Sequence, residues 1–141
     1  MYNRDKDQAN EVKLPAINND EFKSWITAEA DSEMIRFAEN AAKYMGVKEV
    51  TTSQIRNIYG EIKRIQMNYS EERVAWLLLK PKVAYLAARN KKNEGLKFFK
   101  DIFNKAAEFV TNENTYNNFC NLMEALVAYH KVYEKKIRTN N

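Results

Sequence analysis

The chain has 141 residues, 45% hydrophobic and 30% charged, which suits one domain with a buried core and leaves no room for a second. Three glycines and two prolines are too few for the hairpins of an all-β fold. One cysteine excludes a disulfide framework and a multi-thiolate zinc site. The N-terminus is too polar for a secretory signal and no apolar run reaches about 18 residues, so we expect a soluble, cytoplasmic protein without a membrane segment.

The positive charge is concentrated in the middle of the chain. Residues 1–55 contain 7 Lys/Arg and 10 Asp/Glu, residues 56–105 contain 12 and 5, and residues 106–141 contain 4 and 4. A basic segment between an acidic and a neutral one is typical of a surface that binds a polyanion. A solvated Lys/Arg face is the alternative interpretation.

The N-terminal part of the sequence predicts a flexible arm followed by helices. Residues 1–18 are polar and Asn-rich, which predicts a flexible N-terminal arm before a single helical domain over residues 19–141. Asp20 and Asp31 can each cap a helix, and together they begin one kinked helix or two. The apolar residues at helical spacing behind these caps, up to a stop near Gly46, are Phe22, Trp25, Ile26, Met34, Ile35, Ala38, Ala42 and Met45.

The clearest helix start is a capping box at Thr51-Thr52-Ser53-Gln54, in which the Thr51 and Gln54 side chains bond free backbone amides. The apolar stripe behind it consists of Ile55, Ile58, Ile62, Ile65 and Tyr69. The opposite face, which meets water or a ligand, holds Arg56, Gly60, Lys63 and Arg64. Because glycine within a helix costs about 1 kcal/mol relative to alanine, Gly60 indicates close approach by a phosphate backbone or neighbouring subunit, or a tight helix crossing within the monomer.

The second half of the chain predicts the remaining helices. A helix from about Glu71 is expected to bury Val74, Trp76, Leu77, Leu78 and Leu79, and Pro81 is expected to end it and open the next. In that next helix Lys82 and Arg89 share a face beside Tyr85, and Lys91 and Lys92 extend the positive surface. A helix after Gly95 carries the apolar residues Leu96, Phe99, Ile102, Phe103, Ala106 and Val110. A last helix from about Thr115 carries Phe119, Met123, Leu126, His130, Tyr133 and Ile137.

These segments predict an all-α fold, a compact bundle of five to six helices. No set of residues suits catalysis, a metal or a cofactor, so we expect a protein that is not an enzyme. The single histidine, His130, and the single cysteine, Cys120, are read as buried packing residues. Tyr59 and Tyr85 border the basic faces, where they can stack on bases or simply mark the edge of the core.

Two separated motifs carry a family resemblance. They are Thr52-Ser53-Gln54-Ile55-Arg56-Asn57-Ile58-Tyr59 and Leu79-Lys80-Pro81-Lys82-Val83-Ala84-Tyr85-Leu86-Ala87-Ala88-Arg89. The helix start at Gly95 and the closing pattern of Phe119, Glu124-Ala125 and Ala128-Tyr129 add to them. On these residues the chain, from about residue 30 to about residue 137, resembles the small subunit of type III-A CRISPR-Cas (Csm) effector complexes.

The resemblance implies a non-catalytic subunit, present in several copies, that stacks into a filament along the groove where guide RNA (crRNA) and target RNA pair. It implies the backbone subunit and the Cas10-type subunit as further partners. The resemblance also implies which basic residues bind RNA: Arg56, Lys63, Arg64, Lys80, Lys82 and Arg89. Secondary candidates for RNA or subunit contact are Gly60, Tyr59, Tyr85 and Lys92. A helical protein–protein adaptor without a nucleic-acid role and a helix-turn-helix regulator are the alternatives.

Overall fold

The computed structural model of the chain describes residues 12–138 and the side chains of residues 12–134. Its helices are α1 (Asn19–Thr27), α2 (Ser32–Val47), α3 (Thr52–Gln66), α4 (Arg73–Arg89), α5 (Glu94–Ala107) and α6 (Glu113–Arg138). A 3-10 turn at Tyr69–Glu71 precedes α4, so the helix predicted from Glu71 begins slightly later, at Arg73. No strand occurs within residues 12–138, which confirms the all-α prediction with six helices.

Side-chain caps fix where the first helices begin. The Asn18 side chain accepts a hydrogen bond from the Glu21 amide at 2.9 Å, so Asn18 caps α1 and the predicted cap, Asp20, lies in the first turn instead. Asp31 caps α2 as predicted, because its carboxylate accepts from the Met34 amide at 2.9 Å. The segment between these caps interrupts the helix, so α1 and α2 are two helices rather than one kinked helix.

The long helix α6 forms the centre of the bundle and packs against α1, α2 and α3. Helix α4 packs between α3 and α5, and α5 in turn packs on α2. Residues 12–18 have no regular secondary structure, although Val12 and Ile17 pack half-buried against the core. Residues 1–11 of the predicted arm and the side chain of Ile137 lie outside the described residues.

Helix α4 departs most from the sequence prediction. It continues from Arg73 to Arg89 through Pro81, which was expected to end one helix and begin another. The proline ring lies on the exposed side of α4, where the carbonyl that loses its hydrogen bond can be solvated, and this makes an internal proline tolerable. The prediction that Val74, Leu77 and Leu78 enter the core is also wrong, because these side chains are 69%, 68% and 50% exposed.

Buried polar groups tie α6 to the start of α3. Nε2 of His130 lies 2.6 Å from the Val50 carbonyl oxygen and donates to it. Glu134 accepts hydrogen bonds from the Thr52 amide and, at 2.9 Å, from the Thr52 hydroxyl. Burial opposes ionisation of Glu134, but the bonds from Thr52 outweigh it and lower the pKa of its carboxyl group. The start of α3 is therefore held by its own capping box and by a carboxylate from α6.

The burial of His130 predicts a loss of stability in mild acid. Burial lowers the pKa of its imidazole below the ordinary 6.5, so the unfolded chain binds the proton more readily than the folded chain. The free energy of unfolding is expected to be highest above pH 6.5 and to fall as the pH drops from there towards the lowered pKa. Urea unfolding at pH 7.5, 6.5 and 5.5 measures this fall.

The matched variant is His130→Gln, which keeps a donor near Val50 and removes the only imidazole in the chain. Its stability should change less than that of the parent protein over the same interval, since few other groups titrate there. Identical pH profiles of stability for the two proteins would show that His130 does not cause the loss of stability in mild acid.

Candidate nucleic-acid interface

Helix α3 presents a rigid, outward basic face. Its capping box is complete, because the Gln54 amide donates to the Thr51 hydroxyl at 3.2 Å and the Gln54 side chain accepts from the Thr51 amide at 2.9 Å. The predicted stripe of Ile55, Ile58, Ile62, Ile65 and Tyr69 is buried. On the opposite face Arg56 is exposed and Lys63 half-buried, and neither forms an ion pair with any side chain in residues 12–134.

Gly60 lies open to solvent between these two cations. A Cβ atom built on Gly60 would meet nothing within 4 Å, so the predicted alternative of a tight helix crossing within the monomer is wrong. An open depression of about 500 Å³ runs along the helix here and is bordered by Gly60, Lys63, Arg64 and Met67. Of the two predicted reasons for a glycine here, close approach by a ligand or another subunit stays a prediction.

Arg64 and Lys82 belong to an ion-pair network between α3 and α4. Arg64 bonds Glu61 at 2.7 Å and Glu72 at 2.9 Å, and Lys82 reaches the other oxygen of Glu61 at 3.3 Å. Hydrogen bonding from Arg64, together with that from Lys82, lowers the pKa of the Glu61 carboxyl group, so Glu61 is ionised at neutral pH. The two predicted RNA-binding cations are thus held between two helices by acidic side chains.

The first turns of α3 and the second half of α4 enclose a groove of about 520 Å³, which we call the α3–α4 groove. Its α4 wall carries Lys82, Tyr85 and Arg89, and the Arg89 guanidinium carbon lies 5.8 Å from the centre of the Tyr85 ring. Arg89 has no acidic partner among the described side chains. The α3 wall is polar and contributes Ser53, Gln54 and Asn57.

Sequence reasoning missed that polar wall and Glu61. Ser53 and Gln54 were assigned to the capping box and to the first family motif, but not to a binding surface. Their position at a helix start was the only local signal for such a role. Glu61 stands three residues before Arg64, a spacing that places two side chains on neighbouring positions of one helix. That spacing predicts the pair with Arg64, but nothing local predicts the contact with Lys82.

The remaining candidates lie around this surface without forming one cluster with it. Lys80 is about 160° around α4 from Lys82 and lines a different pocket, between α4 and α5, so the structure does not bring these two lysines together. Lys92 is exposed in the turn after α4. Tyr85 is exposed, whereas Tyr59 is half-buried at the edge of the core, where burial raises the pKa of its hydroxyl group.

The described residues contain no group of three or more His, Cys, Asp or Glu side chains arranged to hold a metal ion. Cys120 is buried, and burial raises the pKa of its thiol to about 12, so it is protonated at neutral pH. None of the helices described is both long and apolar enough to cross a membrane.

Comparison with known proteins agrees with the two motifs and the helical fold. The sequence model of the family described as Csm2 Type III-A matches residues 28–136, well over half of the chain. The chain therefore belongs to the Csm2 Type III-A family. It is a small subunit of the type III-A Csm complex of CRISPR systems. No curated protein and no solved structure gave a match.

Proposed function

We propose that this chain is a non-catalytic subunit of the cytoplasmic type III-A complex and holds the backbone of the guide RNA–target RNA duplex on the basic surface of α3 and α4. Its copies stack beside the backbone subunits and the Cas10-type subunit. The observation that carries the RNA contact is that Arg56, Lys63 and Arg89 have no acidic partner among the described side chains on two adjoining helices.

Unpaired cations matter because a phosphate does not have to displace a carboxylate to reach them. Arg56 and Lys63 lie seven residues apart, hence on nearly the same side of α3, and Gly60 between them leaves the helix backbone accessible. A phosphate chain running along α3 can contact both cations and pass close to the helix at Gly60. Arg89 extends the positive surface across the α3–α4 groove.

The paired cations have a different role in this proposal. Glu61 fixes Arg64 and Lys82 against each other, so these side chains lose less conformational freedom when a phosphate binds than free surface cations do. Ser53 and Asn57 add uncharged hydrogen-bonding groups on the other wall of the groove. Such contacts are to phosphate and ribose and carry no base information, as a subunit serving any guide sequence requires.

Charge reversal on α3 tests the RNA contact. The double variant Arg56→Glu/Lys63→Glu is expected to weaken target-RNA retention by the assembled complex about tenfold or more and to lower the salt dependence of the affinity by about two phosphate contacts. Filter binding of labelled target RNA over a salt series measures both quantities. The fold should survive, since Arg56 is exposed and neither side chain forms an ion pair within residues 12–134.

The matched control is Lys23→Glu/Lys97→Glu, which makes the same change in net charge on exposed positions of α1 and α5. It should leave the salt slope unchanged. Equal losses of RNA retention in the two double variants would show that net charge alone causes the effect. Unchanged RNA retention in the α3 variant would show that this face of α3 does not contact RNA.

A further inference from the structure

Helix α4 carries a second apolar stripe, on the side turned away from the bundle. Leu79, Val83 and Ala87 form its buried side. The exposed side holds a continuous row of apolar residues, which we call the outer α4 stripe: Val74, Leu77, Leu78, Pro81, Ala84, Tyr85 and Ala88. At 100° per residue these seven positions fall within a sector of about 120°, directly opposite the buried row. The stripe is about 21 Å long at 1.5 Å per residue.

Exposed apolar residues elsewhere in the described chain do not form a comparable surface. The large ones outside α4 are Leu14, Ile35, Met67 and Val132, each on a different segment. Single exposed apolar side chains are ordinary on a protein surface, whereas a contiguous patch marks an interaction site. The outer α4 stripe is such a patch.

A pocket of about 150 Å³ adjoins the stripe between α4 and α5. Leu77 belongs to both, and Trp76, Phe103 and Ala107 supply the other apolar walls. Asn104 also lines this pocket, and its Oδ1 atom is buried without a hydrogen-bond donor in the described part of the chain. The pocket is therefore a mainly apolar recess at the edge of the stripe, of a size that suits one inserted side chain.

The charges beside the stripe indicate what covers it. Arg73 and Lys80 lie along one edge, Lys82 and Arg89 along the other, and α4 contains no Asp or Glu. Of these four cations only Lys82 has an acidic partner among the described side chains. Across the pocket Glu108 pairs with Lys105, so it does not neutralise the Lys80 edge.

A second copy of this chain is a poor match for this surface. Two outer α4 stripes packed face to face would place cations against cations at both edges, which costs binding energy. No other surface within residues 12–134 offers a complementary apolar row.

We propose that the outer α4 stripe docks an amphipathic helix of a different protein subunit of the complex, one with an apolar face bordered by Asp and Glu and with one anchoring side chain that enters the pocket between α4 and α5. Helix docking of this kind uses apolar anchors at i, i+3, i+4 and i+7, the spacing that the stripe itself presents. The inference rests on membership of the complex. It can be tested apart from the RNA contact of Arg56 and Lys63 on α3, although the edge with Lys82 and Arg89 also borders the α3–α4 groove.

Photocrosslinking in the assembled complex tests the proposal. The complex is purified with p-benzoylphenylalanine at position 77, irradiated and digested, and the crosslinked peptide is identified by mass spectrometry. A peptide of another subunit, with apolar residues at helical spacing flanked by Asp or Glu, supports the proposal. Crosslinks to a second copy of this chain, to RNA or to nothing would overturn it. The same group at Ile35, an exposed residue of α2, is the matched control and should not capture that peptide.

A second measurement separates docking from folding. Leu77→Gln/Leu78→Gln is expected to weaken binding of the crosslinked subunit about 30-fold, the effect of losing a central anchor, while the free protein keeps its helical circular dichroism. Ile35→Gln/Val132→Gln should bind as the parent does. If Arg56→Glu/Lys63→Glu abolishes RNA retention and leaves the position-77 crosslink intact, the two surfaces are independent. Unchanged binding of that subunit to the leucine variant would contradict the docking proposal.

Discussion

Replacing Phe119 with alanine is expected to lower the free energy of unfolding by about 3–5 kcal/mol, the usual cost of emptying a buried aromatic site. Phe119 is fully buried on α6. Its ring centre lies 5.1 Å from that of Trp76, 5.4 Å from that of Phe103 and 5.7 Å from that of Tyr116. These rings join α4, α5 and α6, so the substitution removes contacts that three helices share.

Urea unfolding followed by circular dichroism measures this loss, and Leu77→Ala provides the control on the opposite side of α4. Because Leu77 is 68% exposed, its replacement should change the free energy of unfolding of the free protein by no more than about 0.5 kcal/mol. If Leu77→Ala lowered the free energy of unfolding by several kcal/mol, the Leu77 side chain would have to be buried. That result would contradict the outward orientation of the outer α4 stripe.

Helix α3 could be predicted in detail because its information is local. The capping box needs only Thr51 and Gln54 at the right spacing, and both of its hydrogen bonds are present. The isoleucine stripe has one apolar and one polar side, so its period defines the buried face without reference to any other helix.

Helix α4 could not be predicted in the same way. It is apolar on two opposite sides, and a periodicity argument has no means of choosing which side the bundle buries. Pro81 added a misleading signal, since proline usually marks a helix boundary. What decides the orientation is packing between α3 and α5, which depends on residues distant in the sequence.

In the candidate interface, too, local features could be predicted from the sequence and contacts between helices could not. That Arg56 and Lys63 face outward follows from the period of α3, and the structure agrees. The contact between Glu61 and Lys82 joins residues 21 positions apart on different helices, so it required the tertiary arrangement. The sequence therefore indicates which residues are basic and on which face of α3, but not which of them an acidic side chain already neutralises.

The sequence singled out the glycines, but it did not show which of them allow close packing between helices. A tight crossing within the monomer was one of the two predicted reasons for Gly60, and its surroundings are empty. The close approaches are at Gly46, where a Cβ atom would lie 3.1 Å from Cβ of Tyr133, and at Gly95. Helix α2 ends at Val47, next to Gly46 as predicted, and the lack of a side chain at Gly46 also lets α6 approach.

Gly95→Ala and Gly60→Ala are expected to change stability in opposite directions. A Cβ atom at Gly95 would lie 2.5 Å from Cγ2 of Val50 and 3.0 Å from Cβ of Lys48, so the buried start of α5 must shift, at a cost of about 1–3 kcal/mol. A Cβ atom at Gly60 meets nothing within 4 Å, and alanine there should raise the free energy of unfolding by about 0.5–1 kcal/mol through helix propensity alone.

Urea unfolding of the two variants beside the parent protein measures both changes, and a stabilised Gly95→Ala would contradict the close packing of α5 against Val50. The Gly60 variant also separates stability from function. If a ligand passes close to α3, Gly60→Ala is the more stable protein yet retains less target RNA in the assembled complex, because the methyl group occupies space that the fold leaves free. A more stable variant with unchanged RNA retention would show that no backbone approaches α3 at Gly60.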